Sequence, residues 1–369
     1  MNRIKLLSVA ILLVAIAFTS CKKDKPQTPE DNKDYNYEGI LTTYVDKTII
    51  PTYADMKDNA KLLAIKTKSF QTLGSQSDLD AACEYWKKTR KPWEAGESFL
   101  FGPAAYHNLD PLLDSWPLDQ AQLQQVLDGS AELTADYVRD GLGAVLRGFH
   151  TVEFLLFRNG QNRQAGDFTQ REKEYLSAVS EVLRDDCVKL WAAWEGGTGE
   201  EAILEAIDFE VAVPFGDEIK KAGKVGSRYI SQTDAIDEML QGSMGIADEV
   251  ANGKIADPHT SGNVLDVESW FSWNSLTDFQ NNIRSIQNSY LGGYKADNRG
   301  KSLSDFIKVK DAALDTEVKQ KISDAIAAIA AIPEPFRNHL TDPAVTTAMA
   351  KVNEVQNIIS KKVRPIVIK

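Results

Sequence analysis

Two side chains that can take up protons and bind metals stand three residues apart in an otherwise apolar segment. Residues 141–157 read GLGAVLRGFHTVEFLLF, and His150 and Glu153 share one face of any helix formed there. Val145, Phe149, Val152 and Leu156 form an apolar stripe, with Phe154 and Leu155 extending it, so the helix is expected to be buried. Burying ionisable groups costs free energy unless they are paired or bind something. His150 and Glu153 therefore read either as a mutually satisfied structural pair or as the core of a site.

A second segment has the same character. In WKKTRKPWEAGESFLF (residues 86–101), Trp86, Arg90, Trp93 and Glu97 fall in a narrow helical arc, with Phe101 continuing it. Tryptophan is costly to expose, so Arg90 and Glu97 are expected to be buried beside it. They form either an Arg–Glu pair stacked on indole or part of the same site as His150. Pro92 removes one backbone donor within this helix. Between the two segments lies HNLDPLLDSWPLD (107–119), where Asp114 can reach the same cavity or cap a helix. Asp110 reads more as a cap.

The elements that position these groups read as helical throughout the folded part. Stretches expected to be helical include 37–73, 77–102, 133–157 with a break near Gly141, 169–194, 215–251, 275–291 and 343–363. Ser77 with Asp80, and Ser275 with Asp278, have the spacing of helix starts. No strand-like alternation of any length is present. The expected class is all-α, with two helical bundles (35–210 and 211–369) packed together and the motif buried near their interface. Cys83 and Cys187 fall in helical patterns, as a bridge or as two buried small apolar residues.

Length and charge bound the rest. The chain has 369 residues, 43% hydrophobic and 26% charged, with 42 Lys+Arg against 53 Asp+Glu. A net charge of -11 argues against binding nucleic acid, whose phosphates need a basic footprint. No nucleophile elbow, P-loop or dinucleotide fingerprint is present.

The N-terminus reads as an address. Arg3 and Lys5 precede an apolar run from Leu6 to Phe18, then Thr19, Ser20 and Cys21. This resembles a bacterial lipoprotein signal (1–20), with cleavage before Cys21 and acylation of its thiol; Phe18 stands where Leu is usual. Residues 21–34 have no large apolar residue and read as a flexible tether. The expected location is exported and lipid-anchored, at the outer membrane, facing the periplasm or the cell surface.

Taken together, the segments resemble the imelysin family. The motif is Gly-x-His-x-x-Glu, here Gly148, His150 and Glu153. The flanking segments 90–104, 113–119, 244–258 and 267–292 resemble family sequence in family order, over roughly residues 35–365. The resemblance implies an all-helical fold of two bundle-like domains with the motif buried where they meet. It also implies an exported protein linked to bacterial iron uptake, in a family some of whose members are classed as metallopeptidases. It places Arg90, Trp93 and Glu97 in one matching segment, and Ser275, Asp278 and Asn282 in another, with Asp278 also readable as a cap.

Two functions follow as expectations. As a binding protein, the chain holds a metal ion or small metal-containing ligand. His150, Glu153 and Glu97 are then the metal set, while Arg90, Trp93, Asp114, Ser275, Asp278 and Asn282 line the ligand. One imidazole with carboxylates suits iron or another divalent metal, and Arg90 suits a small anionic ligand. Membrane attachment at Cys21 and iron-uptake proteins are the expected partners. As a metallopeptidase, His150 and Glu153 are ligands and Glu97 activates water. That reading lacks a second histidine, because His107, His259 and His339 have no ligand-like spacing with His150.

Overall fold

The structure is a computed structural model that describes residues 35–368. The signal segment 1–20, Cys21 and the tether 21–34 lie outside the described residues. The helices, in chain order, begin with α1 (Glu38–Thr43), α2 (Ile50–Leu73), α3 (Gln76–Glu94), α4 (Pro103–Tyr106), α5 (Leu109–Asp114) and α6 (Gln120–Asp128). Next come α7 (Ala135–Gly141), α8 (Gly148–Leu156), α9 (Gln170–Glu195), α10 (Glu201–Ala206), α11 (Phe215–Lys220) and α12 (Gln232–Glu249). The last six are α13 (Ala256–Ser261), α14 (Ser275–Leu291), α15 (Leu303–Lys310), α16 (Ala312–Ala330), α17 (Pro343–Ile358) and α18 (Arg364–Val367). π-helical turns at Tyr44–Ile49, Val250–Lys254 and Ile359–Val363 continue α1, α12 and α17. The fold is all-α. The strands among the described residues are β1 (Phe157–Arg158) and β2 (Gln161–Asn162), an antiparallel hairpin pairing Phe157 with Asn162.

Helix α2 packs against α3 and α9, and α8 packs on α3 and α9. In the second half, α16 packs against α14 and α17, and α12 lies on α17. The two groups meet where α14 crosses α3 and where α12 covers the 3-10 turn Glu97–Phe99. That approach is close: a Cβ on Gly242 of α12 would stand 2.1 Å from the Ser98 carbonyl oxygen. Residues 37–49 precede α2 in sequence yet pack on α11, α12 and α14.

Several sequence expectations need correction. The helix expected over 77–102 stops at Glu94, and Glu97 sits in the separate 3-10 turn. Its cap is Ser75, which accepts from the Asp78 amide, so Ser77 and Asp80 are not the capping pair. Likewise Asn274 precedes α14 and Ser275 is its first residue; Asp278 Oδ1 accepts from Asn274 Nδ2 at 2.6 Å. The stretch 133–157 divides into α7, a short 3-10 turn and α8, because Leu142 and Arg147 are extended and Gly148 has φ +78°. The stretch 215–251 divides at 221–231, and residues 109–114, between the two segments singled out above, form α5. Cys83 and Cys187 are buried free thiols.

Glycine at 148 is required twice over. Its left-handed φ disfavours any side chain, and a Cβ there would lie 2.4 Å from the Leu113 carbonyl oxygen and 2.7 Å from that of Leu112. This contact seats the start of α8 on the end of α5. Gly148→Ala is expected to cost about 3 kcal/mol in denaturant-induced unfolding. Unchanged stability would contradict the close approach of α5 and α8.

Candidate functional site

The site is assembled by seven segments. Helix α3 brings Arg90, Trp93 and Glu94, the following turn brings Glu97, and α5 brings Asp110 and Asp114. Helix α8 brings His150 and Glu153. The second half supplies Lys254 from the π-helical turn after α12, Glu268 and Ser272 from the connection before α14, and Asp278 and Asn282 from α14.

Arg90 is at the centre and has no solvent exposure. Its guanidinium pairs with Glu94 and Asp114, with Glu268 Oε1 at 2.5 Å, and with Asp278 Oδ2 at 3.4 Å. It also lies over the Phe149 ring, 5.1 Å from the centroid. Trp93 Nε1 donates to the second oxygen of Asp114 at 2.6 Å, and Asn282 donates to Glu94. The expectation that Arg90 receives an anionic ligand is therefore corrected. Carboxylates from four segments already surround it, and its own chain supplies all of them.

His150 is equally buried. Its Nδ1 lies 3.1 Å from Glu153 Oε2, and the other Glu153 oxygen accepts from the Ser272 amide and hydroxyl, each at 2.8 Å. Glu153 thus orients the imidazole from behind instead of sharing its front. In front, Nε2 faces Asp114 Oδ1 at 3.0 Å and Glu268 Oε1 at 3.7 Å. Neither oxygen is aligned for a hydrogen bond, and Nε2 is a buried polar atom without one. Trp116 packs edge-on against the ring, with centroids 4.7 Å apart.

Lys254 neutralises the opposite side. Its ammonium lies 3.1 Å from Glu268, 3.6 Å from Glu97, 3.8 Å from Glu249 and 3.9 Å from Glu94. This cluster lines the inner end of a cavity of about 870 Å³ that runs from Glu97, Asp114, Trp116, Lys254 and Glu268 out past Asp110, Glu249, Asp257 and Asp266. Its ionisable lining is acidic except for Lys254. Asp110 makes no capping hydrogen bond at the start of α5; it faces this cavity.

Charges in such a place shift strongly. Burial would lower the pKa of His150, but Asp114, Glu153 and Glu268 outweigh it and hold the ring's pKa well above 6.5. Burial raises Glu94 and Glu97 well above the usual carboxylate range despite Arg90 and Lys254. Burial also raises Asp278, to about 6, and raises Asp110 to about 6 with help from Asp114 and Glu249. For Asp114 burial is overcome by Arg90 and His150, which hold it below its ordinary value. For Glu268 burial is overcome by Lys254, His150 and Arg90, which lower it to about 2. The carboxylates of Glu94, Glu97, Asp114, Glu153, Glu268 and Asp278 thus outnumber Arg90, Lys254 and a protonated His150, and Glu94 and Glu97 are poised to hold protons instead of a cation.

Two groups of side chains bring ligand-type atoms within 4.8 Å of one another: Asp114 with His150 and Glu268, and Glu94 with Glu97 and Asp114. Of the residues singled out from sequence, His150, Glu153, Arg90, Trp93, Asp114 and Asp278 form one connected network. Glu97 joins through Lys254, and Asn282 through Glu94. Ser275 does not face the cavity; its hydroxyl donates to the Glu268 carbonyl oxygen at 2.5 Å. Glu94, Lys254, Glu268 and Ser272 escape a reading of the sequence alone. The Arg90–Glu94 spacing of four residues is a pairing signal that points to Glu94, whereas Lys254 and Glu268 converge only through the tertiary fold.

Removing the central cation should be severe. Arg90→Met leaves four carboxylates short of their counter-charge and is expected to lose about 3–5 kcal/mol of stability near neutral pH. Arg90→Lys should rescue little, since a single ammonium cannot reach all four. Asp278, with a folded pKa of about 6 against an unfolded value near 3.8, favours folding fully only below the unfolded value and loses that contribution as pH rises through about 6. The deficit of Arg90→Met should therefore shrink from about pH 7 to about pH 5 in paired denaturation curves. A constant deficit would argue against uncompensated carboxylates as its cause.

Likeness to known proteins places the fold. The Imelysin family model (peptidase M75) matches residues 49–361. Iron-regulated protein A of Synechococcus elongatus is 26% identical over 328 residues, 88% of this chain and 85% of that protein. A crystal structure described as an iron-regulated protein A precursor, from Parabacteroides distasonis, superposes with a TM-score of 0.79 at 33% identity, covering 89% of this chain and 94% of that one. An imelysin-like protein from Psychrobacter arcticum shares the fold at 13% identity, with a TM-score of 0.67 over 89% of this chain and 95% of that one. The chain belongs to the imelysin family.

Proposed function

We propose that this protein is an exported, lipid-anchored binding protein that takes a divalent metal cation into the acidic cavity, in the service of iron acquisition. The observation that carries the reading is the imidazole of His150. It is buried and held from behind by Glu153, and its Nε2 stands 3.0 Å from Asp114 Oδ1 and 3.7 Å from Glu268 Oε1, so that the three offer ligand atoms within 4.8 Å of one another. A histidine whose second nitrogen is fixed by a carboxylate is the usual arrangement of a metal-binding imidazole.

The donor set of Asp114, His150 and Glu268 is oxygen-rich with one nitrogen, which suits iron or manganese better than structural zinc. The surplus of carboxylates supplies the charge. Asp110, Glu249, Asp257 and Asp266 along the cavity favour entry of a cation. The relatives named iron-regulated protein A, together with the Cys21 signal, support the context of iron uptake at a membrane.

The test is titration of the metal-free protein with Fe(II) and Mn(II), read by calorimetry, beside thermal melts. His150→Ala is expected to weaken binding by at least about tenfold. Its melting temperature should change little, because Asp114 keeps Arg90 and Trp93, and Glu153 keeps Ser272. A large loss of melting temperature with unchanged binding would make the motif structural. Lys254→Met, which removes a competing cation, should tighten binding. Binding should also weaken as pH falls, because the metal must displace the proton that Asp114, Glu153 and Glu268 hold on His150. Metal-dependent cleavage of a peptide library, abolished by His150→Ala, would favour a peptidase instead.

A further inference from the structure

The most exposed large apolar side chains among the described residues are Val225 at 104%, Ile230 at 92% and Val309 at 84% of full exposure. Val225 and Ile230 share one connection and Val309 is distant in sequence, yet all three lie beside the point where the chain enters the fold. Lys224, next to Val225, pairs with Glu38 at 2.8 Å. Ile230 is two residues from Gln232, whose side-chain oxygen accepts from the Tyr37 amide. Val309 is one helical turn from Phe306, against which Tyr35 and Tyr37 pack, with centroids 4.5 and 5.2 Å away. Isolated exposed apolar residues need no explanation, but the three most exposed gathered at one place do.

Basic residues surround them. Val309 lies between Lys308 and Lys310, and Lys224 directly precedes Val225, while Lys301 reaches over the Tyr35 ring at 5.4 Å. The nearby carboxylates are largely engaged: Glu38 pairs with Lys224, Asp234 and Asp305 accept from the amides of the capping residues Ser231 and Ser302, and Asp311 caps α16. A basic patch with protruding valines and isoleucine, in a chain of net charge -11, has the composition of a surface that rests on anionic headgroups.

The chain's own connection points the same way. Residues 22–34 join Cys21 to Tyr35, and thirteen residues reach at most about 45 Å in any conformation. An acyl chain on Cys21 therefore holds this end of the fold near the bilayer. We infer that the face carrying Val225, Ile230, Val309, Lys224, Lys301 and Lys310 docks on an anionic lipid surface and fixes how the anchored protein stands on its membrane. The inference rests on the lipid-anchor reading above, and not on the metal site. The acyl anchor fixes only where this end of the chain is held, and a basic, apolar second contact sets an orientation.

The test uses the full lipidated chain, reconstituted into vesicles of phosphatidylethanolamine and phosphatidylglycerol. A fluorescent label is placed through Val225→Cys, Val309→Cys or the control Gln124→Cys, and is read against nitroxide-headgroup lipid. Gln124 lies on α6, near the Arg171 end of α9, whereas Trp194 at the other end packs on Phe215 of α11; the two ends are about 35 Å apart. Labels at 225 and 309 are expected to be quenched at least about threefold more than at 124. Adding Lys224→Glu and Lys310→Glu should erase the difference while the protein still floats with the vesicles. Equal quenching at all three positions in floating protein overturns the docking face but leaves the anchor intact. Unmodified protein that does not float overturns the anchor, and the docking face with it.

Discussion

A permanently charged guanidinium with no access to water is the constraint around which this fold is arranged. Stripping an ion of solvent costs several kcal/mol unless nearby opposite charge returns it. Arg90 receives that charge from Glu94 on its own helix, Asp114 on α5, Glu268 before α14 and Asp278 on α14. No single segment could satisfy it. The two halves of the chain must both be in place before Arg90 is stable, so assembly of the site and assembly of the fold are one event. The closeness of Gly242 to the Ser98 carbonyl oxygen is the backbone counterpart of that requirement.

The motif works within the same frame. Gly148 allows α8 to begin against the carbonyls at the end of α5, which brings His150 to Asp114. Glu153, one turn on, reaches the far nitrogen of the ring, and Ser272 from the second half holds Glu153 with two hydrogen bonds. The three motif positions thus differ in what they contribute. The glycine permits close approach, the histidine presents a nitrogen to Asp114 and Glu268, and the glutamate orients the ring.

Charge imbalance connects the buried network to the cavity. Carboxylates exceed cations at its inner end and along its length, and burial pushes Glu94, Glu97 and Asp278 towards their protonated forms. Lys254 is the long-stemmed counter-ion in this field, delivered by a π-helical turn that re-aims the end of α12. A site that holds protons and a lysine where carboxylates crowd together is one in which an incoming cation has something to replace.

Much of this was legible in the sequence. Apolar periodicity and breakers indicated an all-helical chain, and the costliness of burying Arg90, His150 and Glu153 marked them as belonging together, because that cost depends on residue type and local pattern alone. The family motif named Gly148, His150 and Glu153 for the same local reason. The partners were a different matter. Glu268, Lys254 and Ser272 sit in segments with no local oddity, since an acidic or basic residue at a helix end is ordinary until the chain folds it against a buried charge. Glu97 looked like the continuation of Arg90's helical face, but α3 ends at Glu94, and a backbone turn gave the neighbouring position to Glu94 instead. Asp110 and Asp278 carried the spacing of caps and became cavity and network residues. Periodicity reports which face of a helix is buried; only the tertiary structure decides against what, because electrostatic partners are chosen by distance in space and not along the chain.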